Sequence, residues 1–321
     1  MNETIAGFMA QAVSAMCPIV FLVVLGYVLS ARKWFDAKSE AMIARLVTTV
    51  ALPCSIFVSL TGDFTAEKLT ALLPDTVLPI VSMLLAMVVG KIAARVLNIK
   101  HGRRGVFSVN FFISNTMFIG LPVNLALFGE ESIPAVMLYY VVNTLVFWTL
   151  GVNSIVGDTA RARESFFSPA TLQKILSPSL IAFIVSIAFV LSGWSLPDGI
   201  NAGLRYTGQL TTPLSLIFIG IEISHISLRK FKFEKDLFWG LIGRYVVCPI
   251  CVLVFVPFIS VSPMSVKVFT MQAAMPAMTM LTIVSKQYGA DSQYAAALSF
   301  VTILLGIVVI PLYMTVVNLW V

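Results

Sequence analysis

Charge is what this 321-residue chain has least of: Asp, Glu, Lys and Arg make up 11% of it, where a soluble domain carries roughly 25%. A water-facing surface cannot be assembled from that supply. Cysteine is scarce as well, at four residues. The one C-x-x-C, Cys248-Pro249-Ile250-Cys251, lies in an apolar run that offers a redox thiolate no stabilisation, so these are expected to be packing residues. The two histidines, His101 and His225, sit among basic loop residues. No His/Cys/Asp/Glu cluster has metal-ligand spacing, so neither metal nor cofactor is expected. Gly-x-x-x-x-Gly-Lys is absent, which removes ATP hydrolysis by this chain. An Asp pair, a Ser–His pair or a zinc motif within an apolar run is also missing, which argues against an intramembrane hydrolase or any other enzyme. No alternating strand pattern occurs, so an outer-membrane barrel is excluded. The first apolar block follows Met1-Asn2-Glu3-Thr4 with no basic n-region, so it reads as a first span and not a cleaved signal. Cys17 is a poor lipoprotein site for the same reason.

What the chain does have is hydrophobic residues, 59% of it, with a mean hydropathy of +0.96. They come in blocks of the ~20 residues that cross a bilayer. Ten such blocks are expected: about 5–29, 41–61, 72–97, 105–128 and 133–156, then about 174–193, 203–223, 237–260, 264–287 and 292–319. Lysine and arginine test that count, because they collect on the cytoplasmic side. With the N-terminus outside, eighteen of the 21 fall in inside connections, and only Lys68, Arg205 and Lys267 fall outside. A missed or invented helix would scramble this alternation. The net charge of +6 is therefore a topology signal, and nucleic acid is not an expected partner. The expected site is the cytoplasmic (inner) membrane, with several passes and both termini outside.

An offset of 160 residues aligns the two halves. Pro18 meets Pro178, Trp34 meets Trp194, Arg45 meets Arg205, Pro53 meets Pro213, Ser55 meets Ser215, and Phe128-Gly129 meets Tyr288-Gly289. Five spans per half is an odd number, so the second half enters from the opposite face: an inverted repeat, the common plan of secondary transporters. The expectation is an all-α membrane protein of ten transmembrane helices in a 5 + 5 inverted repeat. Residues 1–157 form the first repeat, 158–173 a cytoplasmic linker and 174–321 the second repeat.

Such folds bind cargo at mid-membrane where helices break. The fourth span carries Ser114-Asn115-Thr116-Met117-Phe118-Ile119-Gly120-Leu121-Pro122. Pro122 lacks an N–H and crowds the carbonyl four residues back, so the break is expected around Phe118, with Gly120 adding freedom. The ninth span carries Gln272-Ala273-Ala274-Met275-Pro276-Ala277-Met278-Thr279. Candidate substrate-binding residues are Ser114, Asn115, Thr116, Gln272, Pro276 and Thr279, and candidate helix breaks are Gly120, Pro122 and Pro276. An unpaired amide in hydrocarbon is costly, so Asn115 should face a partner, a cavity or a ligand. Pro53 and Pro213 are expected to kink the second and seventh spans. Asp75 and Glu222 fall near helix ends, facing water, with a proton or supporting role for Asp75 held open. Arg45 and Arg244 lie about two turns into their helices, where long basic side chains can snorkel to the inner surface.

At these residues the sequence resembles the auxin efflux carrier family, which includes plant PIN-type carriers and bacterial organic-acid permeases. The most specific pieces are Asn115–Pro122 with Phe128-Gly129, and Gln272–Pro276 with Lys286-Gln287-Tyr288-Gly289. The resemblance implies that the fourth and ninth helices cross at their breaks and that Asn115 helps hold a substrate carboxylate. It also implies that Asp75-Thr76 lies near a supporting polar site. Leu281 stands where plant carriers have a second proline, Pro79 stands where they have a basic residue, and their long central loop is absent. The compact length is closer to the bacterial permeases, which implies malate- or malonate-like acids as substrates. Larger aromatic or amphipathic acids, auxin-like, are the alternative. A channel would need a continuous polar stripe, which the spans lack. The expected partners are a small organic anion and the lipid bilayer, with a homodimer left open.

Overall fold

The computed structural model describes residues 2–63, 65–159, 176–224 and 234–320. The expected linker 158–173 and His225 fall largely or wholly outside the described residues. Among them every named element is helical. Five helices are long and apolar enough to cross a membrane, among them α2 (Lys38–Gly62), α3 (Thr70–Val96) and α6 (Glu130–Val156). In chain order these follow α1 (Asn2–Ala31) and enclose α4 (Arg104–Asn110) and α5 (Thr116–Phe128). The later helices are α7 (Pro178–Ser192), α8 (Asp198–Gly208), α9 (Thr211–Ser224) and α10 (Lys235–Phe258). They end with α11 (Pro263–Ala273), α12 (Met280–Tyr288) and α13 (Ser292–Trp320). Large apolar side chains such as Phe21, Val88, Ile92, Ile184, Phe258 and Val308 cover the outside. Hydrocarbon is the solvent that makes so much exposed apolar surface tolerable.

Proline shapes the local geometry. Among the described residues wide π turns occur at Val47–Ala51, Thr116–Gly120 and Gly243–Val247, each followed two residues on by Pro53, Pro122 or Pro249, and also at Phe147–Gly151, which no proline follows. A proline ring clashes with the carbonyl four residues back, and one i→i+5 turn moves that carbonyl aside without ending the helix. Pro213 acts differently: the chain turns at Gln209–Leu210, between α8 and α9, and Pro213 sits in the first turn of α9.

Helix packing exchanges between the halves. α1 lies against α9, and α7 lies against α2. Gly26 and Gly220 allow the first contact: a Cβ at Gly26 would stand 2.1 Å from the Ile217 carbonyl oxygen, and one at Gly220 2.0 Å from that of Val23. The turn after α1 and the turn after α7 are built alike. Lys33 (φ 62°) and Gly193 (φ 67°) are left-handed. The Trp34 N–H donates to Leu29 at 3.1 Å, and the Trp194 N–H donates to Phe189 at 3.2 Å. Both pairs are 160 residues apart. Gly129 (φ 71°) and Gly289 (φ 80°), which end α5 and α12, have the same spacing.

A polar clip joins the ends of α4, α10 and α13. Arg103 meets Asp291 at 2.6 Å, Glu234 at 2.5 Å and Asp236 at 3.6 Å, and Lys100 meets Glu234 at 2.9 Å. Hydrogen bonds from Lys100 and Arg103 hold the Glu234 carboxyl below its ordinary pKa.

Candidate functional site

The chain unwinds twice in the interior, between α4 and α5 and between α11 and α12, and the two unwound stretches lie against each other. Ser114 and Ala277 form an antiparallel bridge, and the Asn115 N–H donates to the Pro276 carbonyl at 2.9 Å. The first break differs from the sequence expectation. It is centred on 111–115, ahead of Phe118, while Pro122 sits in the first turn of the helix Leu121–Phe128. The π turn at Thr116–Gly120 absorbs that proline, so the unwinding falls upstream. Pro276 lies inside the second unwound stretch.

Unwound backbone inside a membrane needs partners, since each unsatisfied group costs several kcal/mol. The structure supplies them from side chains. Asn143, on α6 and 1% exposed, grips the Ser114 peptide from both sides: Ser114 N–H donates to Oδ1 at 3.1 Å, and Nδ2 donates to the Ser114 carbonyl at 3.3 Å. Thr302 accepts the Ala277 N–H at 3.1 Å. Arg244 completes the set. Expected to reach the inner surface, it is instead wholly buried. Its guanidinium donates to the Ile113 carbonyl, to the Ala273 carbonyl at 3.1 Å and to Cys248 Sγ at 2.8 Å. Cys248 in turn donates its S–H to the Phe111 carbonyl. One cation thus caps the ends of both α4 and α11, where carbonyls point out and partial negative charge gathers. A planar fork suits two carbonyls at once, and no ion pair ties Arg244 to a carboxylate among the described residues.

A cavity of about 740 Å³ adjoins the crossing. Ser114, Asn115, Thr116 and Thr279 line it; Gln272 and Pro276 do not. Gln272 is fully buried, with Nε2 donating to the Thr116 carbonyl at 3.3 Å, and it packs against Gly120, where a Cβ would stand 2.2 Å from its Oε1. Pro276 faces a small apolar void on the other side, with Ile19, Val123, Leu216 and Ile310. Asn115 is 3% exposed. Its Oδ1 accepts the Phe118 N–H at 3.3 Å, capping α5. Its Nδ2, buried, has no hydrogen-bond partner. The remaining wall is largely apolar and includes Met117, Phe118, Phe218, Met278 and Phe300, with Arg45 and Glu222 also lining it. Phe118 and Phe218 stack with ring centroids 5.4 Å apart.

Asp75 is buried, at 4% exposure, and does not face water as expected. Its Oδ2 accepts from the Ser262 hydroxyl at 2.9 Å and from the Ser262 N–H at 3.3 Å, tying the start of α3 to the start of α11. This places it away from the cavity lining. Asn143 escaped the sequence reading and Arg244 was read as snorkelling, because each acts on a break in another helix and not in its own. The signal available for Asn143 was the one used for Asn115, a lone amide in an apolar run.

Comparison with known proteins is consistent with this interior. The profile of a family described as membrane transport protein matches residues 11–314. An uncharacterized transporter of Methanothermobacter thermautotrophicus is 26% identical over 304 residues, covering 92% of this chain and 95% of its own length. A second uncharacterized transporter, from Methanocaldococcus jannaschii, is 26% identical over 310 residues, with the same coverage. A match running through both breaks and nearly the full length places the chain in this membrane transport protein family, the auxin efflux carrier family that its motifs resemble, and makes it a membrane transporter.

Proposed function

We propose that the protein is a secondary transporter of organic anions that works by alternating access, with the cargo carboxylate held at the crossing. The observation that carries this reading is Asn115 Nδ2, a donor buried without a protein partner on the wall of the 740 Å³ cavity. A buried donor left unpaired costs ~1–3 kcal/mol, and an arriving carboxylate removes that cost. Residues at the starts of α5 and α12, Thr116 and Met280 among them, also line the cavity, and helix starts carry partial positive charge. At the crossing itself the cation Arg244 is spent on carbonyls, so recognition there rests on amide donors, and Arg45 is the cation that lines the same cavity.

The ten-span, 5 + 5 inverted arrangement, with 1–157 and 174–321 as repeats, is part of the same proposal. Its support is the reciprocal packing of α1 on α9 and α7 on α2 and the matched left-handed residues 160 apart. With both termini outside, Arg45 and Ser177 stand at the cytoplasmic end, so the cavity faces inward. Across the crossing, Ile19, Ile119, Val123, Leu216, Ile219 and Met275 pack into a buried apolar cluster, which serves as the outer seal. Movement of α4–α5 and α11–α12 against the other helices would exchange the two sides.

Small malate- or malonate-like acids are the first substrate class. The volume and the Met and Phe lining favour a second, larger amphipathic or aromatic acids, since apolar walls reward apolar cargo. Counterflow in proteoliposomes with C3–C5 carboxylates and indole acids separates the two. Asn115→Ala should lower uptake ~10–100-fold, as loss of a charge-assisted hydrogen bond of ~1.5–3 kcal/mol requires, while the protein still extracts folded. Normal uptake by that variant, or no competition from any carboxylate, would sink the proposal.

A further inference from the structure

A second cavity, of about 480 Å³, lies between the end of α3, the start of α4 and the end of α6. Its character is opposite to that of the first. Lys91, Arg95 and Arg104 line it, together with His101, Asn153 and Asp158. Lys91 and Arg95 are four residues apart on α3, so they share one face and converge on the same space. None of these three cations has a carboxylate partner among the described residues. Arg104 is anchored by its Nε, which donates to the Ile99 carbonyl at 2.7 Å.

The one acid on the wall is engaged. Asp158, 8% exposed, accepts the Gly105 N–H at 3.2 Å and lies 3.8 Å from His101 Nε2. Three permanent cations against one carboxylate leave a surplus of two positive charges in a concave site. The walls are also tightly fitted. A Cβ at Gly105 would stand 2.4 Å from the Ser154 carbonyl oxygen, so α4 and α6 meet there at backbone distance. Scattered surface lysines do not produce this arrangement, and neither the transport site nor the outer seal uses any of its residues.

We propose that this cavity is a binding site for a phosphate-type oxyanion, either the headgroup phosphate of an anionic lipid or free phosphate. Guanidinium groups match phosphate oxygens in a bidentate fashion, and a basic recess between transmembrane helices at the cytoplasmic surface suits an anionic headgroup. The orientation proposed above decides only which leaflet would supply the lipid; the binding itself is independent of transport.

The test uses the full chain, purified and placed in nanodiscs of phosphatidylcholine alone or with phosphatidylglycerol. Thermal unfolding is followed with and without inorganic phosphate, and retained lipid is read by native mass spectrometry. Lys91→Gln/Arg95→Gln is compared with Arg32→Gln/Lys33→Gln, an equal loss of charge at exposed basic residues outside the cavity. We expect stabilisation by one of the two ligands, weakened at least tenfold in apparent affinity by the cavity pair and within twofold of the parent for the control pair. Stabilisation by phosphatidylglycerol alone identifies a lipid site, and stabilisation by phosphate in plain phosphatidylcholine identifies a soluble anion site. Equal losses in the two double variants would reduce the cavity to general surface charge and overturn the proposal. So would the absence of any shift with either ligand. Uptake by the same proteins, measured separately, tests only the transport reading.

Discussion

The two arms of the crossing solve one problem in different ways. In the first arm, helix α4 ends, five residues unwind and α5 begins with a π turn that takes up Pro122. In the second arm Pro276 lies within the unwound stretch itself, and α12 starts at Met280 without a side-chain cap. Placing the proline downstream leaves the residue before the helix free to be a polar cap, and that residue is Asn115. Its Oδ1 is consumed by the Phe118 N–H and its Nδ2 is left for something else. The second arm offers the cavity the hydroxyl-bearing Thr279 and Thr282 and the apolar Met278, Met280 and Ile283, but no amide. On the proposed reading, chemical recognition is thus concentrated on one arm, although both arms unwind at the crossing. Among the described residues Arg244 donates to both arms, to the Ile113 carbonyl and to the Ala273 carbonyl.

That sharing predicts the largest effect. Replacing Arg244 with Gln leaves the Ile113 and Ala273 carbonyls short of donors in a water-free interior. At ~1–3 kcal/mol for each unsatisfied group, the loss is about 2–6 kcal/mol of stability, enough to unfold many proteins. Arg244→Lys should fall between, since one ammonium cannot fork to two carbonyls. Thermal unfolding of the extracted protein reads this directly. If Arg244→Gln unfolds as the parent does, the guanidinium is not what joins the arms. Asn115→Ala belongs on the other axis, losing transport while sacrificing only the ~1 kcal/mol of a helix cap.

Gly120→Ala tests the contact between the arms at closer range. The new methyl would overlap Gln272 Oε1 and push the amide off the Thr116 carbonyl. Overpacking of this kind costs ~1–3 kcal/mol. Adding Gln272→Ala should then recover part of the loss, because the residue in the way is gone. A double-mutant cycle with no coupling between the two positions would show that Gln272 does not bridge the arms.

Much of this was readable in the sequence, but unevenly. Hydropathy marked an all-helical membrane chain, and the offset of 160 paired Trp34 with Trp194 without foretelling the left-handed turns that precede them at Lys33 and Gly193. Asn115 stood out in the sequence because an amide in hydrocarbon demands an explanation, and the structure places it on the cavity wall. The position of the first break was not readable, because proline marks where a helix must adjust and does not dictate how. A π turn absorbs the same clash that an unwound segment would, and the choice depends on Asn143 and Arg244, which arrive from α6 and α10. Arg244 was misread for a related reason. Depth along its own helix suggested snorkelling, whereas two broken helices ending beside it supplied enough carbonyls to keep it inside. Gln272 was expected on the cavity wall, but Gly120 lets it pack behind the crossing instead.

The smallest effect expected falls on the second arm. Thr279 lines the cavity but makes no cap bond to α12, so Thr279→Ala removes one hydroxyl and leaves the backbone path intact. A neutral hydrogen bond contributes about 0.5–1.5 kcal/mol, which sets a ceiling near tenfold on uptake; with water free to replace the hydroxyl, about threefold is expected. The informative quantity is the ratio between arms. Asn115→Ala should exceed Thr279→Ala at least fivefold in the apparent affinity for a carboxylate, measured by counterflow. Equal effects would mean that both arms grip the cargo through side chains, and the division of labour drawn from their geometry would fall.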